Sequence, residues 1–166
     1  MSDPVAVYVA AGSNVEPERH LATAVEELRN RFASVRFSKP YRNEAVGFAG
    51  PDFINFVAGF ETREPVAAVI GELQHIETLC GRAREAPKWE PRSMDLDILL
   101  YGELICTQPG LVLPRPDLLR RPYMLGPLAE LAPALVHPTE HRTIAELWAA
   151  FSPAAHGMTR CVIAGL

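Results

Sequence analysis

Phe53-Ile54-Asn55-Phe56-Val57-Ala58-Gly59-Phe60 is followed by a segment from Pro65 to Gly81 in which Val66, Val69, Ile70, Leu73, Ile76 and Cys80 recur at helical spacing. The first stretch is a short apolar run rich in aromatic residues, the pattern of a buried strand. In the second, Pro65 suits the first turn of a helix and Gly81 suits its stop. Reading toward the N-terminus, Val5 to Ala11 is another apolar run, with a turn expected at Gly12-Ser13-Asn14. Leu21, Val25, Leu28 and Phe32 predict one amphipathic helix over about 16–33. Val35, Phe37 and Tyr41 suggest a second strand interrupted at Pro40, followed by a Gly- and Pro-containing loop from Asn43 to Asp52.

Toward the C-terminus, a polar, basic segment over 82–94 leads into a strand from Leu96 to Tyr101. Prolines at 109, 114, 116, 122, 127, 133 and 138 argue against a long helix or a central strand, so turns and short pieces are expected there. Thr143 can cap a last helix carrying Ile144, Leu147, Trp148 and Phe151, and Val162-Ile163 suits an edge strand. The order β-α-β-β-α-β predicts an α+β, ferredoxin-like sandwich, a mainly antiparallel sheet with helices packed on it. A doubly wound parallel sheet needs more strand–helix alternation than this chain supplies.

The 166 residues, 48% of them hydrophobic, suit one domain over 1–166 with a core that needs no disulfide or structural metal. A net charge of −4 argues against a broad nucleic-acid footprint and leaves room for a local basic site. No apolar run approaches the ~18 residues of a membrane span, and Met1-Ser2-Asp3-Pro4 lacks a signal-type basic region. A cytoplasmic protein without membrane or nucleic-acid partners is therefore expected. Cys80, Cys106 and Cys161 are odd in number and widely spaced, the pattern of reduced thiols.

Three features carry chemistry. Asp95 and Asp97 flank Leu96 at a strand entrance, so both carboxylates project from one side while Leu96 and Ile98 face the core. Paired hard oxygens suit Mg²⁺ shared with phosphates; the alternative is two solvent-facing aspartates. Just upstream, Arg82, Arg84, Lys88 and Arg92 surround Trp89. Guanidinium groups pair phosphate oxygens and an indole offers a face to a heterocycle; alone, such a loop is simply solvated. Glu77 falls inside an apolar helical stripe with Gln74 on its flank. It either occupies a polar pocket or pairs with a nearby arginine. Asn55, mid-strand among apolar neighbours, satisfies backbone locally or reads a polar ligand.

Gly12-Ser13-Asn14, Asp52-Phe53-Ile54-Asn55, Gly81-Arg82-x-Arg84, Trp89-x-Pro91-Arg92-x-x-Asp95-Leu96-Asp97-Ile98 and Arg121-x-Tyr123-x-Leu125-x-Pro127-Leu128 occur in that order. Over roughly residues 5–150 the chain resembles the 6-hydroxymethyl-7,8-dihydropterin pyrophosphokinases of folate biosynthesis. The resemblance implies a ferredoxin-like fold and transfer of pyrophosphate from ATP to the pterin's hydroxymethyl oxygen, with release of AMP. It implies that Asp95 and Asp97 hold two Mg²⁺ ions with ATP as co-substrate, and that Arg82 and Arg92 neutralise transition-state charge from a closing loop. Gln74, Glu77, Arg84, Lys88, Trp89, Arg92, Ile98, Arg115 and Arg121 would line the nucleotide site. Asn43, Val46, Phe53, Asn55, Trp89 and Tyr123 would hold the pterin, its ring between Phe53 and Tyr123. A monomer acting on these two small molecules is expected.

The chain departs from the family pattern in several places. Glu90 stands for a usual Gly, Arg115 for a usual His, Asn43 (with Glu44 beside it) for a usual Thr, and Gly110 or a neighbour for a second nucleotide-site Arg. These positions leave nucleotide affinity and pterin choice open. The alternatives are a paralogue acting on a different pterin and a non-catalytic pterin- or nucleotide-binding module. No role is assigned to residues 152–166.

Overall fold

The two long apolar runs, β1 (Val5–Ser13) and β4 (Phe53–Thr62), pair antiparallel from Val5↔Thr62 to Ser13↔Ile54 and form the centre of the sheet. The computed structural model describes residues 3–44, 50–81, 94–151 and 157–166. Between the central strands lie α1 (Pro17–Arg31), β2 (Arg36–Phe37) and β3 (Tyr41–Asn43); after β4 come α2 (Val66–Leu79) and β5 (Asp95–Tyr101). A hairpin of β6 (Cys106–Gln108) and β7 (Leu111–Leu113), a 3-10 turn over Pro116–Leu119, α3 (Pro122–Leu131), α4 (Ile144–Ala150) and β8 (Thr159–Arg160) complete the chain. The strand order is β5-β1-β4-β3-β8, with β2 also on β4 and every pairing antiparallel. The expected ferredoxin-like arrangement is present.

Period-two alternation divides the sheet residues between two cores. Val7, Val9 and Ala11 of β1, Ile54, Phe56, Ala58 and Phe60 of β4, and Leu96 and Ile98 of β5 pack with α1 and α2. Tyr8, Ala10, Val57, Leu99 and Leu100 face the other way, onto Leu118, α3 and α4. The register of β5 on β1 shifts between Val9↔Ile98 and Tyr8↔Leu100, leaving Leu99 as an extra residue. That bulge keeps Leu99 and Leu100 both on the second face and returns Tyr101 to the first.

Three sequence expectations need correction. β1 does not turn at Gly12 but pairs through Gly12 and Ser13, because β4 and β5 flank it there. The proline-rich stretch holds the β6–β7 hairpin, turning through Gly110 at φ 80°, and the ten-residue helix α3. Pro122 sits in the first turn of α3, where its missing N–H is harmless; Pro127 forfeits only the bond to Tyr123, while Met124, Leu125 and Leu128 are buried. The C-terminal edge strand is β8, not Val162-Ile163: Tyr41 and Arg42 pair with Arg160 and Thr159, while Ile163 enters the first core. Thr143 caps α4 as expected, in a capping box with Glu146. Among the described residues no helix is long and apolar enough to cross a membrane.

Candidate active site

Four strands bring one row of residues across the second face of the sheet: Asp95 lies opposite Gly12, Gly12 opposite Asn55, and Asn55 opposite Tyr41. Alternation from Ala10 and Val57 places Gly12 and Asn55 on that face. A Cβ at Gly12 would stand 2.5 Å from Asn55 Oδ1, so the missing side chain is what leaves room for the amide and for a floor between it and the carboxylates. Asn55 Nδ2 donates to Asn43 Oδ1, and Asn43 Nδ2 donates to the Glu44 carbonyl at 3.0 Å. Both amides are buried, and half-buried Phe53 lies opposite Asn43 in the β3–β4 pairing. A buried amide held by a second amide presents fixed polar groups for reading a heterocycle edge.

The other end of the row is acidic. Asp95 and Asp97 are half-buried on the second face, at the edge of the sheet. Glu77 reaches this edge from α2: its Oε2 accepts the Leu96 N–H at 2.8 Å, between the two aspartates. Its place inside an apolar stripe is thus matched by capture of an outward strand amide. On the far side, the chain crosses a cis Leu113–Pro114 bond, and the Arg115 N–H donates to the Leu99 carbonyl at 3.0 Å. Arg115 Nη2 then lies 3.7 Å from Asp97 Oδ2, and its Nε lies 3.6 Å from Asp117 Oδ2. With both groups of the Asp97 pair about a third exposed, such an ion pair contributes less than about 1 kcal/mol.

Arg121 caps α3, and Tyr123 follows in its first turn. Burial pushes the Tyr123 phenol up from its ordinary value; Arg121 opposes this, Asp117 and Asp97 add to it, and Arg115 opposes it. Those interactions place Tyr123 among the charges at the acidic end of the row.

Mg²⁺ fits this donor set. The two carboxylates are hard oxygens on one side of a strand, and a guanidinium already stands beside one of them, so the position accepts positive charge. Among the described residues no group of three or more His, Cys, Asp or Glu gathers to hold a metal, so such an ion would take most of its ligands from substrate and water.

Of the residues singled out in the sequence, Asn43, Phe53, Asn55, Asp95, Asp97, Arg115, Arg121 and Tyr123 are carried by the second face or the segments above it. Glu77 reaches the same strand edge from the other layer. Gln74 is exposed on α2, and Ile98 packs its side chain into the first core, away from the second face. Val46, Arg82, Arg84, Lys88, Trp89 and Arg92 lie outside the described residues. Sequence reading missed the floor at Gly12 and the pairing of Asp117 with Arg115. The first was signalled by a glycine ending an apolar run, the second by the Arg115-x-Asp117 spacing alone.

A sequence profile of the 7,8-dihydro-6-hydroxymethylpterin-pyrophosphokinase (HPPK) family matches residues 8–133. The chain is 38% identical over 148 residues to the 2-amino-4-hydroxy-6-hydroxymethyldihydropteridine pyrophosphokinase of Pseudomonas aeruginosa, covering 87% of this chain and 90% of that one. It is 37% identical over 139 residues to the Haemophilus influenzae protein of the same name, covering 81% and 86%. In fold it is similar to a crystal structure of wild-type Plasmodium falciparum HPPK-DHPS with SDX-DHP, at a TM-score of 0.71 and 12% identity. That match covers 90% of this chain and 44% of the other, so this chain spans less than half of that longer protein.

Proposed function

The chain belongs to the 7,8-dihydro-6-hydroxymethylpterin-pyrophosphokinase family, and from that premise we infer that it transfers the pyrophosphoryl group of ATP to the hydroxymethyl oxygen of 6-hydroxymethyl-7,8-dihydropterin. The observation that carries this reading is the row Asp95–Gly12–Asn55, which joins an acidic cation position to a buried amide across a side-chain-free floor. In the reaction the hydroxymethyl oxygen bonds to the β-phosphorus, the bond from that phosphorus to the α,β-bridging oxygen breaks, and AMP leaves.

Little covalent chemistry falls to the protein; its work is positioning and electrostatics. Asn55, fixed by Asn43, reads the polar edge of the pterin, and Phe53 and Tyr123 bracket its ring. Asp95 and Asp97 would hold Mg²⁺, which when bound would supply positive charge against the phosphates. Arg115 and Arg121 take phosphate oxygens from above, and Glu77 keeps the strand carrying both aspartates in place through Leu96. The family resemblance adds Arg82 and Arg92 as transition-state cations, Arg84, Lys88 and Trp89 at the nucleotide, and Val46 beside the pterin.

AMP release by the purified chain with Mg-ATP, with and without 6-hydroxymethyl-7,8-dihydropterin, tests the reading. Pterin-dependent AMP is expected. Asp97→Ala should reduce its rate by about two orders of magnitude or more while pterin still binds. Preserved turnover in that variant would overturn the assignment of Asp97, and pterin binding without AMP in the parent chain would make it a binding module.

A further inference from the structure

Arg115 has a fixed anchor and an unlatched head. Its backbone N–H is bonded to the Leu99 carbonyl at the bulge, two residues beyond Asp97. Its guanidinium stands between two carboxylates, 3.7 Å from Asp97 and 3.6 Å from Asp117, neither distance a hydrogen bond. The Nε is shielded from solvent and donates to no acceptor. A cation held by charge at these two carboxylates, with its Nε donor unspent, is poised to exchange partners.

Resting on the pyrophosphokinase reading, we propose that Arg115 is a built-in counter-cation of the Asp95–Asp97 site, offsetting charge at Asp97 until a divalent cation takes that carboxylate and then turning to the nucleotide phosphates. Two carboxylates on one side of a strand repel each other, and a guanidinium beside one of them relieves that repulsion. A divalent ion at Asp97 supplies more charge than Arg115 does and repels it. The phosphate oxygens arriving with the nucleotide are the acceptors its fork fits best. Asp117 keeps the side chain close during the exchange. Arg115 therefore weakens cation binding to the empty site and strengthens it once nucleotide is present, and linkage requires the effect to be reciprocal.

Mn²⁺ binding to the full chain, followed by electron paramagnetic resonance with and without α,β-methylene-ATP, tests this without turnover. Arg115→Gln should bind Mn²⁺ alone about two- to fivefold more tightly than the parent chain. It should also gain less Mn²⁺ affinity than the parent when the nucleotide analogue is added. Arg115→Lys, which keeps the charge, should stay close to the parent in the first measurement. Unchanged or weaker Mn²⁺ binding in Arg115→Gln, or an Arg115→Lys that matches Arg115→Gln, overturns the proposal. Asp97→Asn separates the two levels of inference. If it abolishes Mn²⁺ binding while Arg115→Gln changes nothing, only the role of Arg115 falls; if Mn²⁺ binding survives it, the metal assignment falls too.

Discussion

A methyl group at Gly12 would stand 2.5 Å from Asn55 Oδ1, so Gly12→Ala must drive the amide away from Asn43. We expect pterin affinity to fall about tenfold or more, because a displaced polar reader leaves buried groups unpaired. Mn²⁺ binding at Asp95 and Asp97 should change far less; titration of pterin fluorescence beside a Mn²⁺ titration checks both. The aspartates themselves were legible from sequence, since a period of two alone puts Asp95 and Asp97 on one side of a strand. Gly12 was not, because its meaning depends on which residue of β4 lies opposite, and that register is a non-local fact. Glu77 stood out as a carboxylate in an apolar stripe, yet no pattern within α2 reveals that the group it meets is a strand amide at Leu96.

Helix α4 follows from local chemistry: Thr143 and Glu146 form a capping box, and the Glu146 carboxyl is held below its usual range by the Thr143 backbone N–H and hydroxyl. Helix α3 is the opposite case, since its prolines argue against a helix and only burial of Met124, Leu125 and Leu128 reverses that. The turn between them carries a pH dependence. Buried His137 accepts the Thr139 and Glu140 N–H groups at Nδ1, both at 3.2 Å, and burial pushes its imidazole below the ordinary 6.5. The unfolded chain therefore takes up this proton at a higher pH than the folded one. Stability contributed here is complete above about pH 6.5 and declines as pH falls toward the folded value. Denaturant midpoints should decrease from about pH 7 to pH 5, and His137→Asn should flatten that slope.

Across the whole molecule, the ferredoxin-like sheet, its first helical layer and α4 are visible in the sequence, whereas α3, which shares the other face with α4, is not. That second layer rests on close contacts such as Gly59, where a Cβ would lie 2.7 Å from Tyr8 Cε1 and 3.3 Å from Leu131 Cδ2. Gly59→Ala should cost about 1–3 kcal/mol by forcing α3 outward. It lies opposite Tyr8, four residues along β1 from Gly12 and so about 13 Å away. Calorimetry should show a lowered melting temperature, with Mn²⁺ affinity unaltered in the molecules that remain folded. The placement of the acidic pair on β5 has one more consequence. An outermost strand is a template onto which another chain can zip, and here its outward Leu96 amide and Leu99 carbonyl are taken by Glu77 and by the backbone of Arg115. The groups that shape the acidic site thus also withhold these two positions of the strand from a neighbouring chain, so the same contacts that position the carboxylates guard against growth into a fibre.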